Sequence, residues 1–350
     1  MRSPYASRLL LPGVLAVACF GLALALRLNG PAQEAAWHDE VVTLRHLDAP
    51  TFTAYLQGVA HDDPYGYITP LYQTLQYAWV QVFGASTRAV RALSVLLGLL
   101  TLPVLARTGA LLFGREAGWW AAALGAVHLL LIYYAQEVRF YPLVLLLAAC
   151  ALCGLVAGYT RGARWGWALN FIANALLLWS HAFAGLALAP QGLALLAAGI
   201  AHRRCLWRAA WFYWGLAHAT LASAFFGYVA LADYAVTQKV AYFTDSAGTP
   251  RDLANLFFIF TGARFHNRDI SPALGGLPLD EAAALGVVLL SVLGAWAVWR
   301  RAGTHTFGYV LLALWLVVPP VLLYLLSQVW RPFFTYRYVA YSALAWPLLA

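Results

Sequence analysis

A chain of 350 residues that is 63% hydrophobic, only 10% charged and has a mean hydropathy of +0.70 cannot hide its apolar surface in a water-soluble fold. Composition therefore excludes soluble globular, disordered, collagenous, coiled-coil and small disulfide-stapled classes, and it leaves a polytopic membrane protein. The net charge of +8 does not mark a nucleic-acid binder, because the basic residues punctuate apolar runs and form no single basic face.

Apolar runs that can cross a hydrocarbon layer, about 20 residues each, occupy 9–28, 90–113, 117–134, 140–159, 165–180, 182–201, 209–231, 282–299 and 307–327. The core of the first, Leu9 to Leu28, exceeds the roughly 7–15 residues of a cleavable signal and reads as an uncleaved anchor. Cys150 and Cys153 spell C-x-x-C inside the fourth run, where they read as buried helix cysteines and not as a redox or metal pair. A tenth run opens at Tyr338 and reaches only Ala350, as expected of a partial span in a chain cut within a helix. The expected fold is all-α: one transmembrane bundle over 1–350, with about nine complete spans plus a partial tenth. Two long segments, 29–88 and 232–281, carry amphipathic stretches (PLYQTLQYAWVQVFG and RDLANLFFIFTG) that predict helices lying in the membrane interface.

Basic residues set the expected orientation. With the N-terminus inside, the short inner segments hold eleven arginines, from Arg2 to Arg301, against Glu116 alone, a net +10. The outer segments carry a net −2 and place their basic residues mostly in the two long loops, which count little in the positive-inside rule.

The chemistry-bearing residues fall at the outer ends of these runs. Asp39 and Glu40 form an acid pair soon after the first run. They read either as a solvated loop pair or as a general base with a neighbour that orients it or binds a metal. Glu137 and Arg139, in the turn YYAQEVRFYP, read as a local ion pair or as a phosphate-facing fork. His181, in WSHAF, reads as a satisfied interface histidine or as a metal or donor contact. Arg331 and Arg337, like Arg88 and Arg91, read as snorkelling anchors or as phosphate clamps. Midspan polar residues are few (Asn170, Asn174, His128 and His218), whereas transporters concentrate ionisable groups near the midplane.

In order, the chain shows D-E after the first run, P-L-Y opening an amphipathic helix that ends in F-G, R-A-V-R-A-L-S, Y-A-Q-E-V-R-F-Y, S-H-A-F and a late R-Y. This order resembles the GT-C membrane glycosyltransferases, in particular the protein O-mannosyltransferase and aminoarabinose transferase-like group (families 39 and 83). It does so over essentially the whole chain and most specifically over 37–142. One departure is Ile68-Thr69-Pro70-Leu71-Tyr72, where the family commonly has two prolines before L-Y.

The resemblance implies transfer of a sugar from a polyprenyl-phosphate donor to an outer-face acceptor, be it lipid, glycan or protein. It implies Asp39 and Glu40 as the catalytic pair, and Arg139, Arg337 and Arg88 as contacts to donor phosphate. Glu137, His181, Tyr141 and Tyr72 follow as supporting residues, with a divalent metal at Asp39, Glu137 and His181 as an option. It further implies residence in a bacterial inner membrane with the site on the outer face, and membrane lipid but no nucleic acid as partner. The loop 232–281, with Asp245, Arg264, His266 and Arg268, is expected to cover the cavity. A polyprenyl-linked lipid or polysaccharide transporter and a non-catalytic envelope scaffold are the alternatives.

Overall fold

The computed structural model describes residues 4–29, 38–201, 210–236, 247–261, 306–330 and 332–349. It is all-helical, with no strand among the described residues. The order is α1 (Pro4–Leu28), α2 (His38–Leu44), α3 (Phe52–Asp62), α4 (Pro64–Ile68), α5 (Leu71–Phe83), α6 (Thr87–Phe113) and α7 (Arg115–Val127). There follow α8 (Leu129–Tyr134), α9 (Tyr141–Arg161), α10 (Arg164–Ser180) and a 3-10 segment, Ala182–Ala187, that runs into α11 (Leu188–Ala201). Then come α12 (Ala210–Val236), α13 (Pro250–Phe260), α14 (Thr306–Val329), a second 3-10 segment (Tyr336–Leu344) and α15 (Ala345–Leu349).

Five helical stretches among the described residues are long and apolar enough to cross a membrane: Thr87–Phe113, Tyr141–Arg161, Ala182–Ile200, Trp211–Ala232 and Thr306–Val329. The expected count of nine complete spans is therefore not what these residues display. The run 165–180 forms the 17-residue α10, the run 9–28 lies within α1, and the run 282–299 lies outside the described residues. The run 117–134 is divided at His128, whose ψ of 116° leaves the helical region, so α7 and α8 are separate.

The division is held by side chains from elsewhere. Arg27, fully buried at the end of α1, donates from Nη1 to Ala126 O (2.9 Å) and from Nη2 to Gly125 O (3.2 Å), the last carbonyls of α7. The Phe260 carbonyl at the end of α13 accepts from His128 Nε2 at 2.9 Å. Backbone groups freed by a broken helix need such partners where water is excluded. The tenth run is also irregular: it begins in a 3-10 segment with Val339 at φ −124°, and only Ala345–Leu349 is α-helical.

At the centre, α9 packs against α6 and α10. Contact with α10 is close because small residues face each other. A Cβ on Gly154 would lie 2.6 Å from Asn170 N, and one on Gly166 would lie 2.5 Å from Gly158 N. The tight link between α6 and α7 turns at Gly114, whose φ of 103° disfavours any residue with a Cβ.

A smaller apolar core of Leu47, Tyr55, Val59, Val80, Val90 and Val138 joins α2, α3, α5, the start of α6 and the α8–α9 turn. Helix α5 contributes Tyr72, Gln76 and Val80, spaced by four and so on one face, as its amphipathic sequence predicts. This core is the floor on which the candidate site is assembled.

Candidate active site

The first turn of α2 carries Asp39 and Glu40, and the helix turns the two carboxylates apart. Glu40 is buried. Its Oε2 accepts from Arg91 Nη2 at 2.9 Å and its Oε1 accepts from the Val138 backbone N–H at 2.8 Å. One carboxylate thus ties α2 to the start of α6 and to the α8–α9 turn, at a depth where both charges are almost wholly shielded from solvent. Its contacts are those of a structural staple. The expected pair of Asp39 and Glu40 is thus placed in two different settings, with Glu40 turned into the protein.

Asp39 is the more accessible acid, about 30% exposed, and its Oδ2 lies 3.3 Å from Arg337 Nη1 on the second 3-10 segment. Arg139, in the α8–α9 turn, reaches the same place. Its Nη1 donates to Thr43 Oγ1 (3.0 Å), to Asp63 Oδ2 (3.3 Å) and to the Asp39 carbonyl (3.4 Å). The ion partner of Arg139 is therefore Asp63 and not Glu137, which corrects the reading of Glu137 and Arg139 as a pair. Asp63 closes α3, and its Oδ1 accepts from Gly66 N at 3.0 Å at the entry to α4.

Glu137 is buried with both carboxyl oxygens lacking a hydrogen-bond partner of ordinary geometry. Burial pushes this carboxyl up to about 7, against the lowering influence of the neighbouring Tyr133 hydroxyl and Arg337. The folded form therefore keeps a proton that the unfolded chain releases near 4.5, and stability is highest below that value and declines as pH rises through 7. A Glu137→Gln variant is expected to lose that decline, worth on the order of 3 kcal/mol between pH 4.5 and 8. Denaturant unfolding in detergent at the two pH values checks this, and parallel behaviour of wild type and variant refutes it.

The remaining expected residues divide. Tyr141 is buried at the start of α9, 4.7 Å from the Tyr134 ring. The Tyr72 hydroxyl is buried without a hydrogen-bond partner. His181 sits in an aromatic box, stacked on Phe140 at 4.6 Å and 4.9 Å from Tyr338. Burial first, and then the nearby Arg139 charge, push its imidazole down to about 3, so it is neutral at ordinary pH. Arg88 is exposed and takes part in none of the site's bonds; one turn deeper, Arg91 points inward and is held by Glu40, so the expected phosphate contact at Arg88 is not supported. Arg331, Asp245, Arg264, His266 and Arg268 lie outside the described residues.

Protein side chains alone do not gather a divalent-metal site among the described residues. Among the described residues no three His, Cys, Asp or Glu side chains are gathered as a cation requires, so Asp39, Glu137 and His181 do not form a ligand set. Arg139 and Arg337, which share the space beside Asp39, would oppose a further positive charge.

Asp63, Thr43 and the inward role of Arg91 are what sequence reading missed. The available signal for Asp63 was the run Asp62-Asp63-Pro64, a second acid pair in the same long segment, 29–88, followed by a proline that forces the preceding residue out of the helix.

No protein-family model matches the sequence, and a search of curated proteins finds no match. Among solved structures the chain is similar to ArnT from Cupriavidus metallidurans, in the apo state, with a TM-score of 0.62 and 14% identity. The match covers 99% of this chain and 59% of that one, so the chain spans about three-fifths of the length of the protein it resembles. At this identity the likeness shows the fold alone: an all-helical chain with long apolar helices, folded like ArnT.

Proposed function

We propose that the chain is a membrane glycosyltransferase that moves a sugar from a polyprenyl-phosphate donor to an acceptor on the outer face of a bacterial inner membrane. The observation that carries this reading is the meeting of one accessible carboxylate with two arginines: Asp39 faces Arg337 at 3.3 Å, and Arg139 abuts the same turn of α2. A phosphate leaving group needs cationic donors, and a hydroxyl acceptor needs a carboxylate nearby. Both are present on facing elements. The GT-C fold shared with ArnT and the order of sequence motifs support the same assignment.

In this mechanism the acceptor oxygen attacks the anomeric carbon as the bond from that carbon to the phosphate oxygen breaks. The electron pair leaves with polyprenyl phosphate, whose charge Arg337 and Arg139 neutralise. The hydroxyl proton passes to Asp39, which Arg337 releases as it turns to the phosphate. Attack opposite the leaving group inverts the anomeric configuration. No step is routed through a metal. Lipid, glycan and protein acceptors, including those of lipopolysaccharide or protein glycosylation, all present a group this arrangement can accept.

A transporter is disfavoured by the midspan polar residues Asn170, Asn174 and His218, which share one hydrogen-bonded cluster, while His128 bonds to the Phe260 carbonyl. Asn170 and Asn174 both donate to Gln191 Oε1 (2.7 and 3.2 Å), Trp214 donates to Asn170 Oδ1, and His218 meets Asn174 at 3.0 Å. These groups join α10, α11 and α12 and satisfy one another within the bundle. The test is transfer of label from a panel of radiolabelled polyprenyl-phosphate sugars in membranes carrying the protein. Transfer from one donor, above that of membranes lacking the protein, is expected; turnover of none overturns the proposal.

A further inference from the structure

Three ion pairs meet at the site and they differ in kind. Glu40–Arg91 is short, at 2.9 Å, and buried on both sides, so it behaves as part of the framework. Asp63–Arg139 and Asp39–Arg337 are each 3.3 Å long, and both are partly exposed. Long, partly exposed pairs are less firmly held than a short buried one and are the ones open to exchange. Each also places a carboxylate on an arginine that faces the site. Asp39 has a chemical role in the reading above, whereas Asp63 has none.

The placement of Asp63 suits a counter-ion. It lies on the α3–α4 junction, and its Oδ1 is fixed by Gly66 N–H while its Oδ2 meets the Arg139 guanidinium. Arg139 Nη1 is shared among Asp63, Thr43 and the Asp39 carbonyl, while its buried Nε has no partner. Three acceptors crowd one nitrogen and another is bare. The guanidinium is thus only partly satisfied by the protein, and Asp63 is one of three acceptors sharing a single nitrogen.

We infer that Asp63 is a positioning counter-ion that holds Arg139 in the empty site and competes with phosphate for it, so that spent polyprenyl phosphate can leave. This rests on the phosphate-donor reading of the same site and adds to it the group that limits phosphate affinity. With Asp63 neutral, Arg139 keeps its full charge for the phosphate. The lipid phosphate then binds more tightly and departs more slowly.

The experiment is direct titration of the full-length protein with a polyprenyl phosphate in detergent micelles, for wild type, Asp63→Asn, Asp63→Ser and Asp63→Glu. Both neutral variants keep an acceptor for Gly66 N–H, so failure of one to fold leaves the other. Each is expected to bind about tenfold more tightly, since an opposing charge at this range and exposure is worth about that much. Glu at position 63 is expected to stay near wild type. In the transfer assay the neutral variants are expected to lower KM and kcat together, a pattern that a purely structural role does not produce. Unchanged or weaker binding by the neutral variants, when wild type binds, overturns this inference and spares the transferase reading. Absence of binding by the wild type overturns both.

Discussion

Asparagine in place of Asp39 is expected to lower sugar transfer by about 10²–10⁴-fold, the usual cost of removing a positioned acid–base group, with the fold preserved. Asp39 contacts Arg337 through its side chain, and the backbone around it is held by other groups. Thr43 Oγ1 donates to its carbonyl at 2.9 Å, and Glu40 fixes the next residue to α6. Asparagine has the same shape and can still accept from Arg337, so geometry is retained while the proton acceptor is lost. Transfer and thermal midpoint, measured on the same detergent-solubilised preparations, separate the two effects. Undiminished transfer would remove Asp39 from the chemistry and leave its pairing with Arg337 as a tether between α2 and the second 3-10 segment.

Several features of this arrangement were legible in the sequence because they follow from composition and order. Apolar runs marked the long helices α6, α9, α12 and α14, and the motifs that carry Asp39, Arg139 and Arg337 all fall at run ends, where the three residues meet. What could not be read depends on rotation and depth. Adjacent residues on a helix point about 100° apart, so Asp39 and Glu40, inseparable as letters, face different neighbours: an accessible arginine and a buried one. Arg88 and Arg91 differ by a turn, and only the deeper meets Glu40. Asp62 and Asp63 were equally plain in sequence. Folding gives Asp62 to Arg45, His46 and His61 and gives Asp63 to Arg139.

The break at His128 was hidden for a different reason. Hydropathy is continuous across 117–134, and the groups that stabilise the interruption, Arg27 and the Phe260 carbonyl, lie about a hundred residues or more away in the chain. Neither periodicity nor local propensity reports a bond of that range. His181 belongs to the same category: its neutral, stacked environment is built by Phe140 and Tyr338, from two other elements.

Glu40→Ala is expected to cost about 3–5 kcal/mol of stability, because it removes the carboxylate that balances a buried guanidinium. The loss has two sources. Arg91 remains almost fully buried without its ion partner, and the Val138 N–H loses the acceptor that anchors the α8–α9 turn. Since that turn also carries Glu137 and Arg139, transfer is expected to fall along with stability. Arg91→Met is expected to be comparably damaging, because it strands the carboxylate instead. Replacing both by apolar residues of similar volume, Glu40→Leu with Arg91→Met, is expected to recover most of the loss, short of the bond to Val138. A double-mutant cycle in denaturant unfolding therefore yields a coupling energy of more than about 1 kcal/mol. A catalytic Glu40 behaves differently: the single variant loses transfer at unchanged stability, and the apolar double replacement rescues nothing. The cycle thus decides whether the second acid of the pair touches substrate or, as its contacts indicate, holds in place the residues that do.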